Sequence, residues 1–295
     1  MNLDAFSVVC RIAEVNGVKL HYVHQGAGPL LLLLHGFPDF WFSWRNQIPA
    51  LAKDHHVVAI DLRGYNESDK PDGVEPYRMR HLCDDVDAVI DQLGGGRATL
   101  VGHDWGGAVA WSYAYSHPEK LDALVILNAP HPATFPRAIR KPPQLFRSWY
   151  VFFFQLPRVP EWALTRSRAG AIAGVFKDAA RPDQVEVYRS RFLKPGVATA
   201  ALNYYRATMR GMRDGGRQPF HLLEVPTLLI WGENDVALGK ELTFGLDRYV
   251  KNLRIEYVPG AGHFVHQEQP ALVNGLLAEF LAKRKPKPAR RPAKA

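Results

Sequence analysis

The chain has 295 residues, 47% of them hydrophobic and 22% charged, with a formal net charge of +8. That length supports one large domain with an insertion, and a core that needs no disulfide or metal staples. Two cysteines, Cys10 and Cys83, argue against a disulfide framework, although they do not exclude one bridge, and fit a reducing, cytoplasmic setting. No signal peptide is apparent, and no apolar run approaches the roughly 20 residues that cross a bilayer.

In chain order, two alternating runs around Asn16-Gly17 predict a hairpin, because that pair readily takes positive φ. Leu30–Leu34 reads as a central strand buried on both faces. A helix is expected over 44–53, a strand over 57–60, and a helix over 82–93 that stops at the glycines 94–96. A strand at 98–101, a helix and a strand at 123–127 continue the alternation. With right-handed crossovers this pattern makes a mostly parallel sheet flanked by helices. At residue 131 the alternation stops. Residues 131–220 are rich in arginine, proline and aromatics without a clear strand, and are read as an inserted helical cap. Strands at 225–231 and 254–258 and a helix at 270–283 complete the chain. The predicted organisation is a core of 1–130 and 221–282, a cap of 131–220, and a basic, disordered tail of 283–295.

Charge is uneven. The cap segment holds 16 Lys/Arg against 5 Asp/Glu, a net of +11, and the tail has 7 basic residues and no acidic ones. The cap charge suggests long-range attraction of anions; a solvated or membrane-facing basic face is an equal reading. For the tail, solubilisation is simpler than contact with nucleic acid or an anionic membrane.

The most informative letters are Gly102-His103-Asp104-Trp105-Gly106. An apolar run leads in and small residues lead out, the strand–sharp turn–helix context of a nucleophile elbow. A carboxylate stands where an esterase would carry serine. It attacks saturated carbon by displacement and leaves an alkyl-enzyme ester, so epoxides or alkyl halides are the expected electrophiles. The plain alternative is that Asp104 caps the following helix. Hydrolysis of the ester needs a base. His263, in Gly260-Ala261-Gly262-His263-Phe264 after the last strand, has a ring suited to accepting a proton near neutral pH. Asp235, in Gly232-Glu233-Asn234-Asp235 after the preceding strand, is the better candidate than Glu233 to orient that ring. The order nucleophile, acid, histidine is that of an α/β-hydrolase triad. Backbone N–H groups of Phe37, after His35-Gly36, and of Trp105 stand where an oxyanion hole is required.

On His35-Gly36-Phe37-Pro38, Asp61-Leu62-Arg63-Gly64-Tyr65, the elbow, Asp235 and Gly262-His263, the chain resembles the α/β-hydrolase-fold epoxide hydrolases over all but its tail. That resemblance implies two cap tyrosines donating to the epoxide oxygen. The segment 148–155 matches the first and 203–206 the second, which makes Tyr150 and Tyr205 the donors, with Tyr204 the competing choice at the second position. It implies no cofactor and no metal, a lipophilic epoxide as substrate with water as co-substrate, and a monomer or homodimer without a nucleic-acid partner. The basic cap suggests an epoxide bearing a remote carboxylate. Haloalkane dehalogenases share most of these motifs. Such an enzyme would use the Trp105 indole and a cap tryptophan, Trp149 or Trp162, on the halide, but its usual asparagine is Phe37 here. The arginines of fluoroacetate dehalogenases find no match at Trp105, Gly106 and Gly107. A non-catalytic binding member of the fold is the remaining alternative.

Overall fold

The computed structural model describes residues 6–213 and 220–283; the expected tail lies outside them except for Lys283. Eight strands form one sheet: β1 (Val9–Val15), β2 (Val18–Gln25), β3 (Leu30–Leu34), β4 (His56–Ile60), β5 (Ala98–His103), β6 (Leu121–Leu127), β7 (Thr227–Gly232) and β8 (Leu253–Val258). Their order is β1-β2-β4-β3-β5-β6-β7-β8. The hairpin closes on Val15↔Val18 around Asn16 and Gly17, both at positive φ. β2 meets β4 antiparallel, and every pairing from β4 to β8 is parallel. All five leucines of β3 are buried, as a strand covered on both faces requires.

Helices α1 (Met79–Gly94), α2 (Trp105–Ser116) and α8 (Pro270–Ala282) flank the sheet. Two expectations shift. The helix expected over 44–53 is instead a 3-10 turn at Trp41–Trp44 and a single turn at Ile48–Leu51. Side chains here are pulled into tertiary bonds: Ser43 Oγ lies 2.6 Å from His266 Nε2, and Gln47 Nε2 donates to the His266 carbonyl at 3.0 Å. Pro49 also lacks an N–H to continue a ladder. The strand expected from 225 begins at Thr227, since Pro226 supplies only its carbonyl, which accepts from Leu124 N at 2.9 Å. Cys10 is exposed and Cys83 buried, with no disulfide between them.

Between β6 and β7 the described residues form helices and no strand: α3 (Pro142–Arg147), α4 (Trp149–Phe153), α5 (Val159–Val175), α6 (Pro182–Phe192) and α7 (Val197–Arg213). α5 is broken by non-helical backbone at Arg166–Ala169. This layer seats on the core through buried polar bonds as well as rings. Arg45 NH1 donates to Tyr188 Oη at 2.9 Å and to Gln267 Oε1 at 2.8 Å, and NH2 to Gln184 Oε1 at 3.2 Å. Tyr188 stacks on Phe176 with centroids 3.8 Å apart, and Phe176 packs on Phe264 at 4.7 Å.

Candidate active site

The carboxyl ends of the parallel strands carry the site, where an open α/β sheet places its ligands. β5 runs straight into the turn at Asp104, whose φ of 50° and ψ of −119° fall outside the allowed regions for a non-glycine residue. The flanking glycines make that turn possible. A Cβ on Gly106 would sit 2.2 Å from the Leu34 carbonyl oxygen, and one on Gly102 would sit 2.4 Å from that of Gly106. Asp104 occupies the N-cap position of α2 but makes no side-chain capping bond. The helix-cap reading of this residue therefore fails.

Its carboxylate is held elsewhere. Phe37 N–H donates to Asp104 Oδ1 at 2.7 Å, and Asp104 Oδ2 lies 3.4 Å from His263 Nε2. Phe37 comes to this position after His35 and Gly36, over a cis Phe37-Pro38 bond. His35 Nε2 accepts from Leu62 N at 3.0 Å, tying that loop to the end of β4. His263 Nδ1 donates to Asp235 Oδ2 at 2.7 Å. Asp104 and His263 keep 16% and 15% of their side-chain surface, whereas Asp235 keeps none, so a substrate can reach the first two only. Trp105 is the first residue of α2, and its N–H belongs to the first turn, whose donors find no partner within the helix.

Electrostatics follow from this geometry. Burial pushes the Asp104 carboxyl up, but its hydrogen bond to His263 and that ring's charge outweigh it, and the group ends below the ordinary carboxylate range. Burial likewise opposes ionisation of Asp235, and His263 again overcomes it. Burial alone would discharge His263. The charge of Asp235, with bonds to Asp104 and Asp235, instead raises its pKa well above that of a free histidine. With a carboxylate at each ring nitrogen, the site favours the charged form of His263.

The sequence reading passed over several residues that hold this arrangement. Asn128, buried at the end of β6 with φ 39°, donates to Asp235 Oδ2 at 2.8 Å and accepts from Gly232 N at 2.9 Å. Its signal was its place at the carboxyl edge of a parallel strand. Backbone N–H groups of Ala237 and Leu238 donate to Asp235 Oδ1 at 2.8 and 2.9 Å. Glu268 accepts from Gly262 N at 2.6 Å and Phe264 N at 3.0 Å, fixing the turn on either side of His263. His103 Nε2 donates to the His263 carbonyl at 2.9 Å. Behind it, buried Asp39 is bonded by Ser43, Gln267 and the Phe40 N–H, and its pKa is pushed up to about 7 by burial.

The cap contributes rings. Tyr205 is buried, perpendicular to Trp105 at 4.9 Å and to Phe37 at 5.6 Å, with Tyr150 at 6.0 Å. Burial, followed by the charge of Asp104, raises the pKa of both Tyr150 and Tyr205, so each keeps its proton. Tyr204 points away: its hydroxyl donates to the Arg63 carbonyl at 2.7 Å. Phe154 and Phe192 complete an aromatic wall around Phe37. Trp149 and Trp162 are 62% and 61% exposed, mostly in solvent.

The chain belongs to the alpha/beta hydrolase fold family, whose model matches residues 29–270. Within that family it falls among the epoxide hydrolases. It is 38% identical over 280 residues to epoxide hydrolase 4 of Mus musculus, covering 90% of this chain and 77% of that one. It is 39% identical to the AB hydrolase superfamily protein YfhM of Bacillus subtilis, covering 93% and 98%. Among solved structures, an epoxide hydrolase of Bacillus megaterium in complex with an inhibitor superposes with a TM-score of 0.86 at 37% identity, covering 92% of this chain and all of that one. Among the described residues, no helix is long and apolar enough to cross a membrane.

Proposed function

We infer that this protein hydrolyses a lipophilic epoxide to a vicinal diol through an ester on Asp104. The observation that carries the reading is one carboxylate bonded through Oδ1 to the Phe37 N–H, facing His263 through Oδ2, beneath two protonated tyrosines. Asp104 Oδ2 attacks an epoxide carbon, the ring C–O bond breaks, and the oxygen takes a proton from Tyr150 or Tyr205. The aromatic wall of Phe37, Phe154, Phe192 and Trp105 favours an apolar substituent on that epoxide.

The second step needs a neutral histidine, and the first step supplies it. Esterification removes one of the two negative charges that hold His263 protonated. Its pKa falls, and the proton it sheds balances the one the tyrosine gave up. Neutral His263, aligned by Asp235, takes a proton from water attacking the ester carbonyl. Charge builds on the oxygen next to the Phe37 N–H, with the Trp105 N–H as second donor. Collapse breaks the acyl C–O bond, and His263 returns the proton to the departing diol.

The test is parallel turnover of a small aromatic epoxide and a 1-haloalkane, following diol and halide. Diol without halide is expected. Halide without diol would overturn the reading and move leaving-group binding to Trp105; tight epoxide binding without turnover would make the protein a binding member of the fold.

A further inference from the structure

Sixteen large apolar side chains are exposed among the described residues, and seven of them fall between Leu145 and Trp162. Phe146, Trp149 and Trp162 are 74%, 62% and 61% exposed, with Leu156 at 47%. Soluble surfaces scatter such residues singly; a run of them with two tryptophans marks a contact surface. Basic residues interleave with them. From residue 137 to 168 the chain has seven Lys/Arg and one acid, Glu161. That acid is taken up by Arg206 at 2.7 Å. Arg147 and Arg168 pair with acids outside the stretch. Arg137, Arg140, Lys141, Arg158 and Arg166 have no acidic partner within salt-bridge distance among the described residues, and all five are exposed. Arg166 lies over the Trp162 ring at 4.9 Å. A groove of about 510 Å³ runs between Phe146, Trp149 and Val236, and Tyr150 is part of its lining.

We propose that this stretch is an interfacial surface that docks on a membrane rich in anionic lipid. Tryptophan and phenylalanine settle at the headgroup boundary, and unpaired arginines and lysines add attraction to a negative leaflet. The groove then opens toward the lipid, where an apolar epoxide is concentrated, and delivers it to Tyr150. The surface is defined independently of the reaction, so its test reads binding and not turnover.

The full-length protein is sedimented with vesicles of phosphatidylcholine, with and without phosphatidylglycerol, at low and high salt. Binding is expected on the anionic vesicles, with loss at high salt, and a blue shift of tryptophan fluorescence. Leu156→Ser with Trp162→Ser should weaken binding by roughly tenfold or more, with thermal unfolding and turnover of a water-soluble epoxide unchanged. Arg140→Glu with Lys141→Glu should weaken it independently. No binding to anionic vesicles overturns the proposal. Equal binding by the parent and both variants also overturns it and assigns the attraction to the basic tail. A dimer in solution that the apolar double variant dissolves would show that the face covers a second copy of this chain instead.

Discussion

Asp39 is a carboxyl group 2% exposed, whose pKa burial raises to about 7 from an ordinary 3.8. Its Oδ2 faces Ser43 Oγ at 2.5 Å and Gln267 Nε2 at 2.9 Å, and Oδ1 accepts from the Phe40 N–H. Between those two pKa values the unfolded chain has lost the Asp39 proton while the folded protein retains it. The folded state therefore binds more protons, and its stability falls as pH rises through this window. At about 1.36 kcal/mol per unit, the loss attributable to Asp39 from pH 5.5 to pH 8 is about 2 kcal/mol. A loss of similar size, about 2 kcal/mol, is already complete as pH rises from below 3.8 to 5.5, and above pH 8 the group adds almost nothing more. Asp39→Asn removes the titration while keeping a neutral side chain that can donate to Ser43. Urea unfolding of both proteins at pH 5.5 and pH 8 isolates the effect, because every other titrating group cancels in the difference between them. The parent should lose about 2 kcal/mol more than the variant over that interval. Equal pH dependence of the two would refute the reasoning, and a parent that gained stability relative to the variant would reverse its sign.

Other residues give sharper functional readouts. His263→Gln should still be alkylated but fail to release diol, so intact mass after one turnover should rise by the mass of one epoxide per chain. A variant that shows no adduct, with an epoxide the parent consumes, would break the two-step scheme. Tyr205→Phe should lower kcat/KM for the epoxide by about a hundredfold with little effect on stability. Tyr204→Phe should do the opposite, losing about 1–3 kcal/mol because the buried Arg63 carbonyl loses its donor; kinetics and denaturant unfolding on the pair would expose an exchange of roles. Asn128→Ala should cost about 1–3 kcal/mol, since it orphans the Gly232 N–H and strips a donor from Asp235.

The strands, the elbow and the order of Asp104, Asp235 and His263 were legible because each is a local pattern. A five-leucine strand, a glycine-flanked turn and a strand-end acid announce themselves over a few residues. The turn between Trp41 and Leu51 was misread as one helix because what breaks it is distant. Ser43 and Gln47 are held by His266, more than 200 positions away, and no periodicity in 44–53 records that pull. The same applies to Asp39, Gln267 and Arg45, polar residues whose meaning depends on partners brought together by the sheet and the helical layer. Tyr205 could be separated from Tyr204 in the structure by a single bond to Arg63, which helical spacing does not encode.

The chain also solves a problem that the triad order alone does not reveal. On the proposed mechanism His263 must be neutral when water arrives, although the free site biases its ring toward the charged form. Asp235 by itself, buried and held by Asn128 and two backbone N–H groups, keeps the ring oriented throughout. Asp104, 3.4 Å away on the other nitrogen, adds to the larger influence of the Asp235 charge in raising the ring's pKa, and on the proposed mechanism that addition is lost when Asp104 is esterified. On the proposed mechanism the nucleophile thus contributes to the protonation state of its own base. Replacing Asp104 with Asn, which is neutral like the ester, should lower the His263 pKa, and an NMR titration of the ring in parent and variant would read the change directly. An unchanged titration would mean that Asp235 alone sets the charge, and that another group must discharge His263 before water can attack.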